Sequence, residues 1–274
     1  MSVRRLLNYT VVTAADARPA SSLLVLHGFF GAGRNWTTVA RGLAKARPDW
    51  GAVLADLRLH GASQGVAPPH TLERCAGDLA ALDGVLDAPV RAVLGHSFGG
   101  KVALTYLAHR PSGLRQVWVV DADPSAGAPQ GAAWEMLRAV RALPAVFRRR
   151  EDLVVELERA GMDRRIGEWM ATNLEPADGG YRWRLDFAAL EALLRDFFRA
   201  DLWGVVAATL SGVELRVIRA TRSILISGPS VARLQAIGRA TGRVFVDEVA
   251  GGHWLNADNP EALTALLAAR LPAA

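Results

Sequence analysis

Short apolar runs alternate with longer stretches in which apolar residues recur every three or four positions. Ser22–His27 is an apolar run that ends in a glycine-bearing loop, Val39–Ala46 reads as a helix, and Trp50–Asp56 is a second strand. Leu72–Leu86 has the spacing of an amphipathic helix. Val90–Leu94 is a buried strand, Gly100–Ala108 a helix, and Val117–Asp121 a further strand. Strands without internal polar alternation, separated by helices, predict an α/β fold whose central sheet is mostly parallel and covered on both faces.

That rhythm breaks after Asp123-Pro124. From 124 to about 203 the chain reads as helical and strand-poor, with aromatics at Trp134, Phe147, Trp169, Trp183, Phe187, Phe197 and Phe198. Strand-like runs return at Glu214–Ala220 and Arg243–Val249. A last helix starts at Asn259-Pro260, with Asn259 as N-cap and Pro260 in the first turn. The expected organisation is a core of residues 1–123 and 204–274, interrupted by a helical cap insertion at 124–203.

Composition narrows the picture. A chain of 274 residues, 51% of them apolar, can bury a large core. The single cysteine, Cys75, excludes an intramolecular disulfide and reads as buried filler. The net charge of +5 comes from 30 Arg and 2 Lys, with acids interleaved among the basic clusters, so no nucleic-acid surface is expected. No run is long and apolar enough for a membrane span, and the basic N-terminus is not followed by an apolar stretch of signal length. The expectation is a cytoplasmic protein, monomer or homodimer, acting on a small molecule. The six histidines show no metal-ligand spacing, and neither metal nor cofactor is expected.

Gly95-His96-Ser97-Phe98-Gly99 lies between a predicted strand and a predicted helix. A serine on such a turn holds its hydroxyl clear of the backbone, as a nucleophile requires. The same pattern recurs at Gly61-Ala62-Ser63-Gln64-Gly65, but Pro68-Pro69 follows, so Ser63 reads as a loop or capping serine. A serine hydroxyl needs an imidazole to take its proton, and the imidazole needs a carboxylate to fix its tautomer. His253, in Gly251-Gly252-His253-Trp254, is the only histidine after residue 109. Asp121, at the end of a predicted strand, is the leading acid, with Asp123, Asp247 and Asp201 as alternatives. Oxyanion donors are expected from the backbone N–H groups of Phe98 and Phe29. His27 is expected to orient the Phe29 loop, and His60 and His96 to have structural roles.

Several stretches together carry a resemblance: Leu26–Gly31, Asp56-Leu-Arg-Leu-His-Gly-Ala-Ser63, Gly95–Lys101, Val120–Pro124, Thr172-Asn173-Leu174, Arg182-Trp183-Arg184 and Gly251–Trp254. They resemble the α/β-hydrolase superfamily, and more closely the esterase group of YbfF-type and ABHD11-like hydrolases. The resemblance implies an α/β-hydrolase fold with a helical cap and a serine carboxylesterase acting on short- to medium-chain esters. An acyl-CoA thioesterase, a C–C hydrolase or lyase, and a non-catalytic ligand-binding protein are the alternatives. It further implies an acid after the strand that follows the elbow, which agrees with Asp121, and a near-site serine at Ser223, where other hydrolases of this fold carry the acid.

Overall fold

The computed structural model describes residues 6–82, 84–109, 111–208 and 212–274. In chain order, the first part comprises β1 (Tyr9–Val12), β2 (Ser21–Leu26), α1 (Thr37–Ala46), β3 (Trp50–Ala55), α2 (Leu72–Ala80), β4 (Val90–His96), α3 (Phe98–Ala108) and β5 (Gln116–Val120). The middle comprises α4 (Ala132–Arg141), β6 (Val146–Phe147), α5 (Arg150–Arg159), α6 (Arg164–Ala171), β7 (Leu174–Ala177), β8 (Gly180–Trp183) and α7 (Phe187–Arg199). The chain then continues through α8 (Trp203–Ala208), β9 (Glu214–Ala220), α9 (Gly228–Thr241), β10 (Val244–Val249), α10 (Leu255–Asp258) and α11 (Pro260–Arg270).

Seven strands form one sheet in the order β1-β3-β2-β4-β5-β9-β10. Only β1 runs antiparallel, against β3; the remaining neighbours pair parallel. Every residue of β2, β3 and β5 is buried, which explains why these strands read as continuous apolar runs. Their side chains alternate between two cores. Leu24, Leu26, Val93, Val117 and Val119 face one, with α2 and α3 supplying Leu79, Cys75, Val102 and Tyr106. Leu23, Val25, Leu94, Trp118 and Val120 face the other, closed by Val39 and Leu43 of α1 and Leu263 and Leu267 of α11. From β2 the chain passes to β3 on one side, and from β3 it crosses back past β2 to β4 on the other. The carboxyl ends of β2 and β4 therefore flank the crevice where an open α/β sheet places its site.

The middle segment departs from the strand-poor expectation. β6, β8 and β7 form a small antiparallel sheet, and β7 and β8 are joined by the two-residue turn Asp178-Gly179, a common hairpin turn pair. The helix expected over Leu72–Leu86 ends at Ala80, where the chain passes into turns: the Leu82 N–H bonds back to the Leu79 carbonyl. Part of that expected helix, Asp83, lies outside the described residues. The Asn259 cap and first-turn Pro260 of the last helix are found as expected, with the Asn259 side chain accepting from the Ala262 N–H at 3.2 Å.

Lys101 joins the middle segment to α3. Its buried ammonium donates to the carbonyls of Ser125 at 2.7 Å, Phe197 at 3.0 Å and Ala200 at 2.9 Å. Thus it ties together the points where the chain leaves the sheet and returns to it. Burial pushes the amine down to about 8, against the pull of Asp123 and Asp201. No helix among the described residues is long and apolar enough to cross a membrane.

Candidate active site

Ser97 links β4 directly to α3, with φ of 54°. Positive φ in a residue with a Cβ costs about 1–3 kcal/mol and persists only where the surroundings impose it. Here a Cβ on Gly99 would come within 2.6 Å of the Leu26 carbonyl oxygen and 2.7 Å of that of His27. The first turn of α3 thus lies against the end of β2, and glycine is required at that position. The Ser97 N–H donates to the Val120 carbonyl at 2.9 Å, binding the turn to the end of β5. The serine itself is only partly covered.

Asp121 follows β5 at φ 50°, its side chain fully buried. Its N–H donates to the Ile218 carbonyl at 2.8 Å, and Oδ1 accepts from the Ala220 N–H at 3.3 Å, so β9 holds it on both sides. Oδ2 accepts from Nδ1 of His253 at 2.7 Å. Burial alone would raise this carboxyl, but hydrogen bonds from His253, the Ser223 hydroxyl and the Ala220 N–H together hold it below the usual carboxylate range. Ser223 thus contacts the acid from the turn after β9.

The loop carrying His253 is fastened separately. Gly252 N–H donates to Asp258 Oδ2 at 2.7 Å, Arg222 N–H to the Gly251 carbonyl at 2.9 Å, and Asn259 Nδ2 to the Ala250 carbonyl at 2.9 Å. Asn259 therefore both caps the last helix and anchors the histidine loop.

The other acids are engaged elsewhere. Asp123 accepts from the Ser125 N–H at 2.9 Å and from the Ser227 N–H at 3.3 Å at the start of α9. Asp201 accepts from the Trp203 N–H at 3.0 Å, and Asp247 pairs with Arg216 at 3.4 Å. Asp121 is the one of the four that meets His253.

His27 accepts from the Leu57 N–H at Nε2, 3.0 Å, and donates through Nδ1 to the Gly28 carbonyl at 2.8 Å. These bonds tie the turn before Phe29 to the end of β3. Phe30, at φ 62°, is a third strained residue of the site; of five non-glycine residues with positive φ among those described, three are Phe30, Ser97 and Asp121. Among the described residues, no hydrogen bond is found for the Phe29 N–H, and Phe98 opens α3, so its N–H has no intrahelical acceptor. Nor does the Ser97 hydroxyl make a hydrogen bond among the described residues.

His60 is buried under the two phenylalanines, with ring centroids 5.3 Å from Phe29 and 6.0 Å from Phe98. Burial, with His27 beside it, pushes it down to about 3. Ser63 is structural: its hydroxyl accepts from the Asn8 N–H at 2.9 Å. Cys75 is fully buried and its thiol is pushed up by that burial.

The middle segment reaches the site at several points. Asn173 Nδ2 donates to the Phe30 carbonyl at 3.1 Å, Arg34 donates to the Thr172 carbonyl at 3.2 Å, and the rings of Trp169 and Trp254 meet at 6.1 Å. The arrangement holds a carboxylate-bound imidazole, a partly covered serine and two amides without a hydrogen-bond partner among the described residues.

Known proteins resemble this chain in sequence or in fold. The sn-1-specific diacylglycerol lipase ABHD11 of Danio rerio is 27% identical over 249 residues, covering 88% of this chain and 75% of that protein. Lipase LipV of Mycobacterium tuberculosis is 26% identical over 266 residues, covering 91% and 92%. A solved marine microorganism esterase superposes with a TM-score of 0.80 at 21% identity, covering 97% of this chain and 99% of that one. The alpha/beta hydrolase family matches residues 23–266, so the chain belongs to that family.

Proposed function

We propose that the protein is a carboxylic ester hydrolase working through a serine acyl-enzyme. The observation that carries this reading is the 2.7 Å pair between Asp121 and Nδ1 of His253, because an acid on Nδ1 leaves Nε2 unprotonated and able to act as base. In this mechanism Ser97 Oγ bonds to the ester carbonyl carbon while its proton passes to His253 Nε2. The carbonyl electron pair moves onto oxygen, where the Phe29 and Phe98 N–H groups donate to it. Collapse breaks the carbon–oxygen bond to the alcohol, which leaves with the proton from Nε2. Water then repeats the sequence on the acyl-enzyme, releasing the acid and restoring Ser97. The hydrogen bond from Ser97 to His253 is expected to close as substrate enters, as catalytic contacts often do.

Residues 124–203 act as the cap in this reading. The rings of Phe30, Phe29, Phe98 and Phe197 pack in that order, with centroids 4.6–5.7 Å apart, and join the Phe29 loop and the start of α3 to the middle segment. Relatives named as lipases support ester substrates, and short- to medium-chain acyl groups are the class proposed. The test is initial rates on p-nitrophenyl esters from acetyl to dodecanoyl, with Ser97→Ala alongside. The reading expects turnover that Ser97→Ala abolishes. Turnover surviving in Ser97→Ala, or none in folded wild type across the series, would overturn it.

A further inference from the structure

The mechanism so far leaves two buried histidines, His60 and His96, unused, and His96 is the one that touches His253. His96 stands immediately before Ser97 at the end of β4 and is only 3% exposed. Its Nε2 lies 2.7 Å from the backbone carbonyl oxygen of His253, so Nε2 carries the proton and donates it. The two imidazoles also face each other, with centroids 4.6 Å apart and planes inclined at 37°. On its other edge the ring abuts the loop that carries Phe29: a Cβ on Gly28 would come within 3.0 Å of His96 Nδ1. Trp36 closes a further side at 5.9 Å.

These contacts bring three separate parts of the chain onto one ring. β4 supplies the ring and the nucleophile, β2 supplies the Gly28 loop, and the segment after β10 supplies His253. Beyond its bond to Asp121, the His253 imidazole packs on the His96 ring, and the His96 hydrogen bond fixes the backbone at the histidine itself.

We propose that His96 is a positioning residue for His253, holding its backbone through the Nε2–H donor so that the imidazole stays between Asp121 and Ser97. This rests on the hydrolase reading. The ring suits the task because burial, reinforced by His253, pushes it down to about 3. It therefore stays neutral while His253 gains and loses a proton, and its donor is not exchanged for a competing charge.

The test compares His96→Gln with His96→Asn. A glutamine amide nitrogen reaches the position of Nε2, whereas an asparagine nitrogen reaches only that of Nδ1. Both substitutions remove the ring contact with His253. On p-nitrophenyl esters, His96→Asn should lower kcat by about 10–100-fold with KM changed by less than about threefold, since small misplacements of a catalytic group cost about that much. His96→Gln should recover most of kcat.

A second readout does not depend on turnover. The His253 Nδ1 proton accepted by Asp121 should give a low-field proton NMR resonance, present in wild type and His96→Gln and broadened or lost in His96→Asn. Equal kcat values and equal resonances in the two variants would overturn the proposal. Absence of ester turnover in wild type, with the resonance still depending on residue 96 as described, would sink the hydrolase reading and leave the positioning role standing.

Discussion

Mild acid should destabilise this protein while its carboxylates are still ionised. Three histidines, His27, His60 and His96, are buried and held below their ordinary value of 6.5, chiefly by desolvation. Protonating any of them in place is costly for identifiable reasons. His27 Nε2 accepts from the Leu57 N–H, so a proton there would set two donors against each other. His60 Nε2 is buried without a partner among the described residues, and a charge there would sit among Phe29 and Phe98. His96 would place a cation against His253. A base whose folded pKa is lowered takes its proton first in the unfolded chain, so stability falls as pH drops through 6.5 toward the folded value of about 3.

Each proton taken up on unfolding is worth about 1.4 kcal/mol per pH unit. From about pH 7 to about pH 5, His60 and His96 should together remove about 4 kcal/mol, with His27 adding in the same direction. Against a domain stability of about 5–15 kcal/mol this is a large fraction. Urea unfolding followed by tryptophan fluorescence at a series of pH values reads the slope directly. Proton uptake of two to three per molecule is expected (about 3–4 kcal/mol per pH unit at the steepest), falling by about one in His60→Gln. Uptake below about one, or a slope untouched by His60→Gln, would refute the reasoning, because these imidazoles would then be protonated or hydrated in the folded state.

Two substitutions probe the frame around the site. Lys101→Met leaves the carbonyls of Ser125, Phe197 and Ala200 without their shared donor, and should cost about 3–5 kcal/mol in denaturant unfolding, since each buried acceptor left bare costs about 1–3 kcal/mol. Loss of less than about 1 kcal/mol would mean that water reaches these carbonyls in the folded protein. Gly99→Ala forces a methyl group against the carbonyls of Leu26 and His27, which are backbone and cannot rotate away. It should lower ester turnover by about 100-fold or more, with a reduced melting temperature, by displacing the loop that presents Phe29. Near-normal turnover would show that the turn can yield.

The central strands were readable because burial on both faces removes the polar alternation that confuses strand assignment, as in Leu23–Leu26 and Val117–Val120. β1 was missed because it is a short edge strand with two exposed residues and no apolar run. α9 was missed although Ser227 caps it and Gly242 ends it at φ 66°, because its buried positions are few. The β7–β8 hairpin had its turn pair in Asp178-Gly179, but an aromatic-rich helical context hid it. At the site, the order of Ser97, Asp121 and His253 was legible from strand ends. Among four aspartates the strand end and the resemblance favour Asp121, and its carboxylate is the one that reaches the fold-distant imidazole, while Asp123 bonds Ser125 and Ser227. His96 reads as structural from sequence, but its partner does not: the acceptor is a backbone carbonyl 157 positions away, and any residue type would supply one.

The most direct test of the account is the rate at which a fluorophosphonate probe labels the protein, with the modified residue located by mass spectrometry. The account predicts labelling at Ser97 and at no other serine, slowed by about 10³–10⁴-fold in Asp121→Asn through loss of the correct histidine tautomer. It predicts a change of less than about threefold in Asp123→Asn, whose carboxylate serves Ser125 and Ser227 instead. Labelling at Ser63, no labelling of folded wild type, or equal damage from the two aspartate substitutions would contradict it.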